Sequence, residues 1–275
     1  PLGTADSLDV YFAMARGHQN KAALSDIREG GCSHGHDAGA DVPAQEMTKW
    51  FDTNYHYMVP EVSPGQTFTL STTKPVEQFL EARALGYHTR PVILGPLTWL
   101  LLAKSKDDGF DPLSLLPALL PAYAELLAEL AQAGADWVQI DEPALVLDLS
   151  DAARDAYSAA YAELTKVPGI KIMLATYFGA LDDNLDTALA LPVAGLHIDL
   201  VRAPEQIDAV LIGAREDLLL SLGVIDGRNI WKADLTAILD RLEAITAQRP
   251  VQIAPSWSWL HTPVAVALET GLAPQ

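Results

Sequence analysis

Positive charge and cysteine are both scarce in this sequence. Its 275 residues contain 18 Lys and Arg against 36 Asp and Glu, which gives a formal net charge of −18 at pH 7. This balance excludes nucleic acid as a general partner, because binding to phosphates needs a basic protein face. The single cysteine, Cys32, excludes an internal disulfide and fits a reducing compartment such as the cytoplasm.

Long apolar runs and common catalytic motifs are also missing. The longest apolar run, residues 96–103, is much shorter than a bilayer requires, so we predict no membrane-spanning segment. The N-terminus has no basic flank before an apolar core, so no secretion signal is predicted and a cytoplasmic location is expected. No Gly-rich phosphate fingerprint follows any predicted strand, and G-x-S-x-G is absent, so no catalytic residue is assigned.

Short apolar runs and amphipathic segments alternate along most of the chain, and hydrophobic residues (49%) suffice for a substantial core. Strands are predicted at residues 91–94, 137–140, 172–176, 196–200, 218–225 and 251–254. Helices are predicted near residues 75–86, 112–134, 150–166, 182–191, 203–213 and 232–247. This alternation predicts an α/β fold with a parallel sheet.

Polar residues follow most of these strands, which is typical of a (β/α)8 barrel with its site at the carboxyl ends of the strands. A doubly wound open sheet is the alternative. Only six strands are predicted where a barrel needs eight. We therefore interpret residues 1–275 as one incomplete barrel domain, with a short helix in residues 1–17 and a flexible loop in residues 18–45.

The segment 46–60, EMTKWFDTNYHYMVP, combines polar side chains with four aromatic ones. One interpretation is a buried aromatic strand at residues 54–59, with Lys49 extending to water. The other is a pocket for a flat, charged ligand, in which Lys49, Asn54 and His56 are the polar groups.

Further candidates lie at strand ends and in the glycine-rich segment. Asp141 and Glu142 could act as acid and base, hold a ligand amine or bind a metal, or one carboxylate could cap the next helix or pair with a neighbouring cation. The pattern of residues 226–229 is equally typical of a turn and of the polar lining of a barrel mouth. His197 is predicted to be a satisfied core histidine, and His261 has no predicted nucleophile partner. The possible zinc ligands Cys32, His34, His36 and Asp37 match no standard spacing, so a solvated loop is preferred.

Several long segments resemble one family. They are EMTKWFDTNYHYMVPE, GPLTWL, ADWVQIDEPALVLDL, ATYFGALDDNLDTALALPVAGLHIDLV and GVIDGRNIWKADL. Together they resemble the N-terminal half of cobalamin-independent methionine synthase from about residue 7 to residue 270. By this resemblance the chain lacks the first two barrel strands, the basic segment after the first of them, and the last helix of the domain.

The resemblance implies transfer of a methyl group from 5-methyltetrahydropteroyltriglutamate to homocysteine by a protein of two barrels. The N-terminal barrel would scaffold its partner and bind the folate polyglutamate tail, and the C-terminal barrel would hold zinc. In the family the lysine of MTKWF contacts the tail, which implies this role for Lys49, with Asn54 and His56 as further candidates. A lysine suits this role because its ammonium attracts carboxylates as a point charge.

The same resemblance implies that this chain holds no metal and is inactive alone. The positions equivalent to the family's zinc ligands fall near Ala175, Tyr177, Asp199 and Trp257, and of these only Asp199 could bind a metal. Gly227 and Arg228 occupy the turn that carries the family's catalytic histidine. Two alternatives stay open. One is a self-contained, non-catalytic protein that dimerises through exposed strand edges, and the other is an enzyme that uses Asp141 and Glu142.

Overall fold

The computed structural model describes residues 47–259 and Gly271. The predicted helix in residues 1–17, the loop in residues 18–45 with its possible zinc ligands, and His261 lie outside the described residues.

The six predicted strands form one parallel sheet, in which each strand pairs with its neighbours in sequence. A separate antiparallel hairpin precedes the sheet. The strands are β1 (Met47–Lys49), β2 (His56–Met58), β3 (Val92–Leu94), β4 (Trp137–Asp141), β5 (Lys171–Ala175), β6 (Gly195–Asp199), β7 (Leu219–Ile225) and β8 (Val251–Pro255). The α/β class and the parallel sheet are confirmed. A closed barrel is not, because within residues 47–259 both β3 and β8 pair with one strand only.

Helices connect the successive strands and cover the outer face of the sheet. They are α1 (Lys74–Ala84), α2 (Pro96–Leu102), α3 (Leu116–Gln132), α4 (Asp151–Leu164), α5 (Leu185–Ala190), α6 (Gln206–Gly213) and α7 (Leu235–Thr246). Short 3-10 turns occupy Pro112–Leu115, Pro143–Val146 and Asp182–Asn184. Side-chain caps help to set the boundaries of two helices. Ser150 accepts a hydrogen bond from the amide of Ala153 at the start of α4, and Asp234 accepts from two amides at the start of α7.

Two local elements differ from the sequence prediction. The sequence predicts no helix at residues 96–102, which form an apolar run. These residues form α2, because Pro96 suits the first helical turn and the apolar residues pack inward. Residues 54–59 do contain a strand, but it pairs with Met47–Lys49 in a hairpin and not with the main sheet.

The two faces of the sheet differ in polarity. Alternate strand residues pack in the main apolar cluster under the helices, among them Val138, Ile140, Ile172, Leu174, Leu196, Ile198, Leu220 and Leu222. Because side chains alternate along a strand, Gln139, His197 and Ser221 lie on the opposite, concave face. On that side Arg90 donates to Gln252 Oε1 at 3.1 Å, which joins the start of β3 to β8. The sheet is therefore strongly curled.

One described helical segment, Pro112–Gln132, is long and apolar enough to cross a membrane by length and composition. The sequence predicted the helix but not this property, because its prolines and two glutamates interrupt the apolar run. Its leucines Leu116, Leu119, Leu127 and Leu130 are buried in the core cluster. In this fold one face of the segment accordingly packs in the core.

Candidate functional site

The carboxyl edge of the sheet gathers the polar residues that follow its strands. Because all six strands are parallel, their carboxyl ends meet at this one edge. The residues brought together there are Asp141 at the end of β4 and Glu142 after it, Thr176 and Tyr177 after β5, Asp199 at the end of β6, Asp226 after β7 and Ser256 after β8. The predicted placement of these residues at one edge is confirmed.

Glu142 is fully buried and accepts five hydrogen bonds, from two helices. At the start of α2 the donors are the amides of Leu97 (3.2 Å) and Thr98 (2.7 Å) and the Thr98 hydroxyl (2.6 Å). From α4, Tyr157 and Tyr161 donate their hydroxyls at 3.1 and 3.0 Å. The carboxylate thus caps α2 and ties it to α4. Capping of the next helix was predicted, and this was wrong about the helix, because α2 precedes β4 in the chain.

Asp141 points toward the concave face and is held by two donors. Gln139 Nε2 donates to it at 2.8 Å and the Tyr177 hydroxyl at 3.1 Å. Burial raises the pKa of Asp141 to about 6, an effect that these hydrogen bonds and the nearby Arg90 charge partly offset. Because the oxygens already accept protein donors, the arrangement resembles structural support more closely than a free acid and base pair.

Burial of Glu142 makes the free energy of unfolding depend on pH. Burial raises the pKa of Glu142 to about 7, from 4.5 in the unfolded chain, despite the hydrogen bonds from Thr98. The folded state therefore holds its proton more tightly. The stabilising contribution is complete below pH 4.5 and is lost as pH rises through 7. We expect the free energy of unfolding to fall in this window by on the order of 1 kcal/mol per pH unit.

This pH dependence can be measured by urea unfolding at several values between pH 5 and 8, with Glu142→Gln as the comparison. Glutamine does not titrate, so the difference between the two proteins should shrink as pH rises. His197 has the opposite effect on the pH dependence of stability. Burial lowers its pKa to about 4, so its stabilising contribution is lost as pH falls from 6.5. It is present in both proteins and cancels in the difference. A pH-independent difference would contradict the prediction.

His197 and Asp199, two candidates on β6, are both satisfied by protein partners. The His197 ring lies 3.0 Å from the Ser221 hydroxyl and 3.4 Å from the Ser256 carbonyl, as predicted for a core histidine. The Asp199 carboxylate accepts from the amides of Phe178, Val201 and Arg202 at 2.9 to 3.1 Å. Burial raises the pKa of Asp199, and these amides partly offset that effect. The Asp199 side chain therefore shapes the loop after β6.

The hairpin β1–β2 carries the predicted ligand-binding residues. Lys49 lies directly opposite His56 in the register, so both side chains are on the same face of the hairpin, about 5 Å apart at Cβ. Lys49 and His56 are exposed, and so is Asn54 in the connecting loop. Within residues 47–259, the Lys49 side chain forms no ion pair and no hydrogen bond. Its predicted role in binding stays a prediction.

Asp52, in the loop of the hairpin, is tied by ion pairs to the ends of two strands. Its carboxylate pairs with Arg202, in the loop after β6. It also accepts from Arg228, after β7, whose Nη1 lies 3.2 and 3.3 Å from the two carboxylate oxygens. Arg228 Nη2 donates to the Asp52 carbonyl at 3.2 Å. These contacts hold the hairpin loop over the carboxyl edge of the sheet.

An aromatic cluster reinforces this docking. Phe51 packs on Phe178 with ring centroids 5.7 Å apart, and Tyr55 packs on Trp257 at 5.9 Å. Phe178 and Trp257 meet edge to face at 4.8 Å, and the Arg228 guanidinium lies 5.5 Å above the Phe178 ring. Phe51 and Tyr55 therefore pack on the sheet edge, whereas Trp50 packs on Tyr57 within the hairpin, and Lys49 and His56 stay exposed.

Residues 226–229 prove to be both a turn and part of the lining. Asp226 accepts from the Arg228 amide at 2.8 Å and from Asn229 Nδ2 at 2.6 Å, which is the predicted turn. The same turn points Arg228 into a cleft of about 250 Å³, whose lining comprises Val201, Arg202, Asp226, Arg228 and Ser256. Asp52 and Arg202 were missed by the sequence analysis, because their pairing spans 150 positions along the chain.

A metal site is not formed by residues 47–259, since they contain no group of three or more His, Cys, Asp and Glu side chains suited to holding an ion. Of the four positions that the resemblance equates with zinc ligands, Ala175 has no ligating atom, and the Tyr177 hydroxyl donates to Asp141. Trp257 packs in the aromatic cluster. Asp199 directs its oxygens at backbone amides.

Taken together, the curled parallel sheet and the helices that connect its strands define an α/β protein with an open, six-stranded parallel sheet. Comparison with known proteins gives the family. The sequence profile described as "Cobalamin-independent synthase, N-terminal domain" matches residues 2–250. The chain belongs to this family.

Curated relatives match nearly the whole chain. A 5-methyltetrahydropteroyltriglutamate–homocysteine methyltransferase from Rhodopseudomonas palustris is 61% identical over 98% of this chain and 34% of that protein. One of the same name from Caulobacter vibrioides is 60% identical over 99% of this chain and 35% of that protein. The chain thus spans about a third of the length of the curated relatives it matches.

Solved structures of low sequence identity share the fold. A B12-independent methionine synthase from Shewanella superimposes with a TM-score of 0.63 at 16% identity, over 82% of this chain and 70% of that one. A methyltransferase from Methanosarcina mazei gives 0.54 at 13% identity, over 78% of this chain and 69% of that one.

Proposed function

We propose that this chain is the folate-binding and scaffolding N-terminal domain of a methionine synthase. The complete enzyme would transfer a methyl group from 5-methyltetrahydropteroyltriglutamate to homocysteine, the substrates in the names of the curated relatives. The observation that carries the proposal is the exposed Lys49 on a hairpin that Asp52 fixes at the carboxyl edge of the sheet. A fixed hairpin presents its ammonium at a defined place, which favours binding over a merely solubilising role.

The triglutamate tail suits such a lysine by charge. The tail carries several carboxylates, and the chain has a net charge of −18 that repels them. Local cations are therefore needed where the tail binds. His56 lies opposite Lys49 and Asn54 lies in the adjoining loop, so both are further contacts for the tail in this proposal.

The proposal also includes the assignment of the sheet to a (β/α)8 barrel. We infer that β3–β8 are six of the eight strands of a (β/α)8 barrel. The hydrogen bond between Arg90 and Gln252 supports this, because it brings the two edge strands within side-chain reach. The domain would scaffold a C-terminal barrel, and zinc would bind in that part of the enzyme. The chain alone would then be inactive, and the cytoplasm would be its location, which the single cysteine suits.

Replacing Lys49 with Ala should weaken binding of the triglutamyl folate more than binding of the monoglutamyl folate. Loss of one charge-assisted contact is expected to cost about 1–2 kcal/mol for the triglutamyl form only. The dissociation constants of both folates would be measured by calorimetry in the complete methyltransferase that contains this domain.

Lys74→Ala is the matched control for that measurement, because Lys74 is an exposed lysine at the start of α1, away from the hairpin. It should leave both dissociation constants unchanged. If Lys49→Ala weakened both folates equally, the contact would be with the part they share, which is the pterin, the benzoate or the first glutamate, and the assignment to the added glutamates of the tail would be wrong.

An independent, non-catalytic protein that dimerises through its sheet edges is the second candidate. The outer strands favour it, since Val92 of β3 and Ile253 of β8 are both 57% exposed. Apolar edge residues of this kind invite pairing with another chain. The oligomeric state of the 275-residue chain in solution separates the two functions, because only the second requires a stable dimer.

A further inference from the structure

The cleft beside the hairpin loop has the size and the donors of an anion site. Its volume of about 250 Å³ is many times the roughly 10–15 Å³ that one water molecule needs on the same measure, which leaves room for a small organic acid. Two guanidinium groups, from Arg202 and Arg228, line it. Arginine is the side chain best matched to a carboxylate, because its N–H donors form a planar fork.

Both arginines face a single carboxylate, that of Asp52. Arg228 is well anchored, because its guanidinium stacks on Phe178 and also donates to the Asp52 carbonyl. Arg202 is more exposed, at 41% against 25% for Arg228. Each guanidinium carries five N–H donors, so one carboxylate leaves several of them available to a second anion.

The other acidic residue of the cleft, Asp226, does not compete for these donors in the same manner. One of its oxygens accepts from the Arg228 amide, and the other from Asn229 Nδ2. Asp226 is thus held in its own turn. Asp52, by contrast, is 52% exposed, and the hairpin loop is also docked by Phe51 on Phe178 and Tyr55 on Trp257, so the Asp52 side chain can leave the arginines while the loop keeps its place.

We propose that Arg202 and Arg228 form a second carboxylate-binding site beside this cleft, of a size suited to one glutamyl residue, and that Asp52 pairs with both guanidinium groups as an internal counter-ion in the free protein. An incoming carboxylate would exchange with Asp52 on the two guanidinium groups, and no covalent step is involved. The glutamyl character of the ligand rests on the function proposed above, whereas the anion site rests only on the cleft and its arginines.

The test is calorimetric titration of the 275-residue chain with two probes, γ-linked triglutamate and glutarate, at fixed ionic strength. Asp52→Asn removes the internal competitor and keeps the shape of the side chain, so it should tighten binding of both probes about tenfold. Arg228→Gln and Arg202→Gln should each weaken binding about tenfold or more.

Asp240→Asn and Arg241→Gln serve as the charge-matched controls, because both residues are exposed on α7 and neither contacts the hairpin loop. Neither should alter binding. If Asp52→Asn left binding unchanged or weaker, or if Asp240→Asn tightened it equally, the proposal would be overturned. The proposal would also be overturned if neither probe bound to the wild type or to Asp52→Asn. If Asp52→Asn loosened the loop, Arg202→Gln would still test the site, since it keeps the contact between Asp52 and Arg228.

Lys49→Ala separates this inference from the proposed function. Tighter binding in Asp52→Asn, together with unchanged triglutamate binding in Lys49→Ala, supports the arginine site and removes Lys49 from tail recognition. Weaker triglutamate binding in Lys49→Ala, with no response to Asp52→Asn or to the two arginine variants, leaves the proposed function intact and overturns the arginine site.

Discussion

Replacing Glu142 with Ala is expected to lower the free energy of unfolding by about 3–5 kcal/mol at pH 7, because several buried donors lose their acceptor at about 1–3 kcal/mol each. The Glu142 carboxyl is 0% exposed and accepts all five of its hydrogen bonds from buried donors. Without it, the amides of Leu97 and Thr98 and the two tyrosine hydroxyls lose their acceptor inside the core. Each unsatisfied buried donor costs about 1–3 kcal/mol, less where water enters the space.

Urea unfolding followed by circular dichroism measures this change directly. Glu216→Ala is the matched control, because Glu216 is exposed in the loop before β7, and its replacement should change stability by less than about 0.5 kcal/mol. A loss of under 1 kcal/mol for Glu142→Ala would show that Thr98, Tyr157 and Tyr161 find other acceptors, and the assigned role of Glu142 would be wrong.

Gly95→Ala should destabilise the protein through the same carboxylate, by about 3 kcal/mol, since overpacking typically costs about 1–3 kcal/mol and hydrogen bonds are lost in addition. Gly95 precedes α2 in an ordinary extended conformation, so backbone strain is not the cause. A Cβ atom at this position would lie 2.1 Å from the Cδ and Oε1 atoms of Glu142. To admit the methyl group, Glu142 would have to move away from the amides that it caps.

A double-mutant cycle with Glu142→Ala tests this cause. When Glu142 is already alanine, the space is free, so adding Gly95→Ala should cost much less than it does in the wild type. Gly179→Ala is the control glycine, because its Cβ would meet Val146 at an ordinary 3.4 Å. Additive losses in the cycle would mean that Gly95 matters for some reason other than the space beside Glu142.

Both predictions concern the surroundings of Glu142 at the carboxyl edge of the sheet, which the sequence predicted only in part. The sequence placed Asp141 and Glu142 at the end of a strand and offered helix capping as one role. It could not show that Thr98 of α2 and Tyr157 and Tyr161 of α4 converge on the same carboxyl group. Those donors come from elements up to 45 positions away, and no local pattern encodes that contact.

The hairpin β1–β2 was likewise predicted only in part from the sequence. Its aromatic and polar content marked residues 46–60 as unusual, and the exposed Lys49 agrees with either interpretation of that content. The docking of its loop depends on Asp52, whose partners are 150 and 176 positions further along the chain. Neither Asp52 nor Arg202 carries any sequence signal of its own, because a single charged residue in a loop is ordinarily solvated.

The sequence by itself determined the six parallel strands, most of the helices between them and the collection of polar residues at strand ends. These features follow from hydrophobic periodicity, which is a local property of the chain. The tertiary structure alone decided that residues 47–58 form a hairpin apart from the sheet, that Glu142 is a buried cap, and that two arginines share one aspartate. Such contacts join residues distant in sequence, and their geometry depends on how the elements pack, which periodicity does not specify.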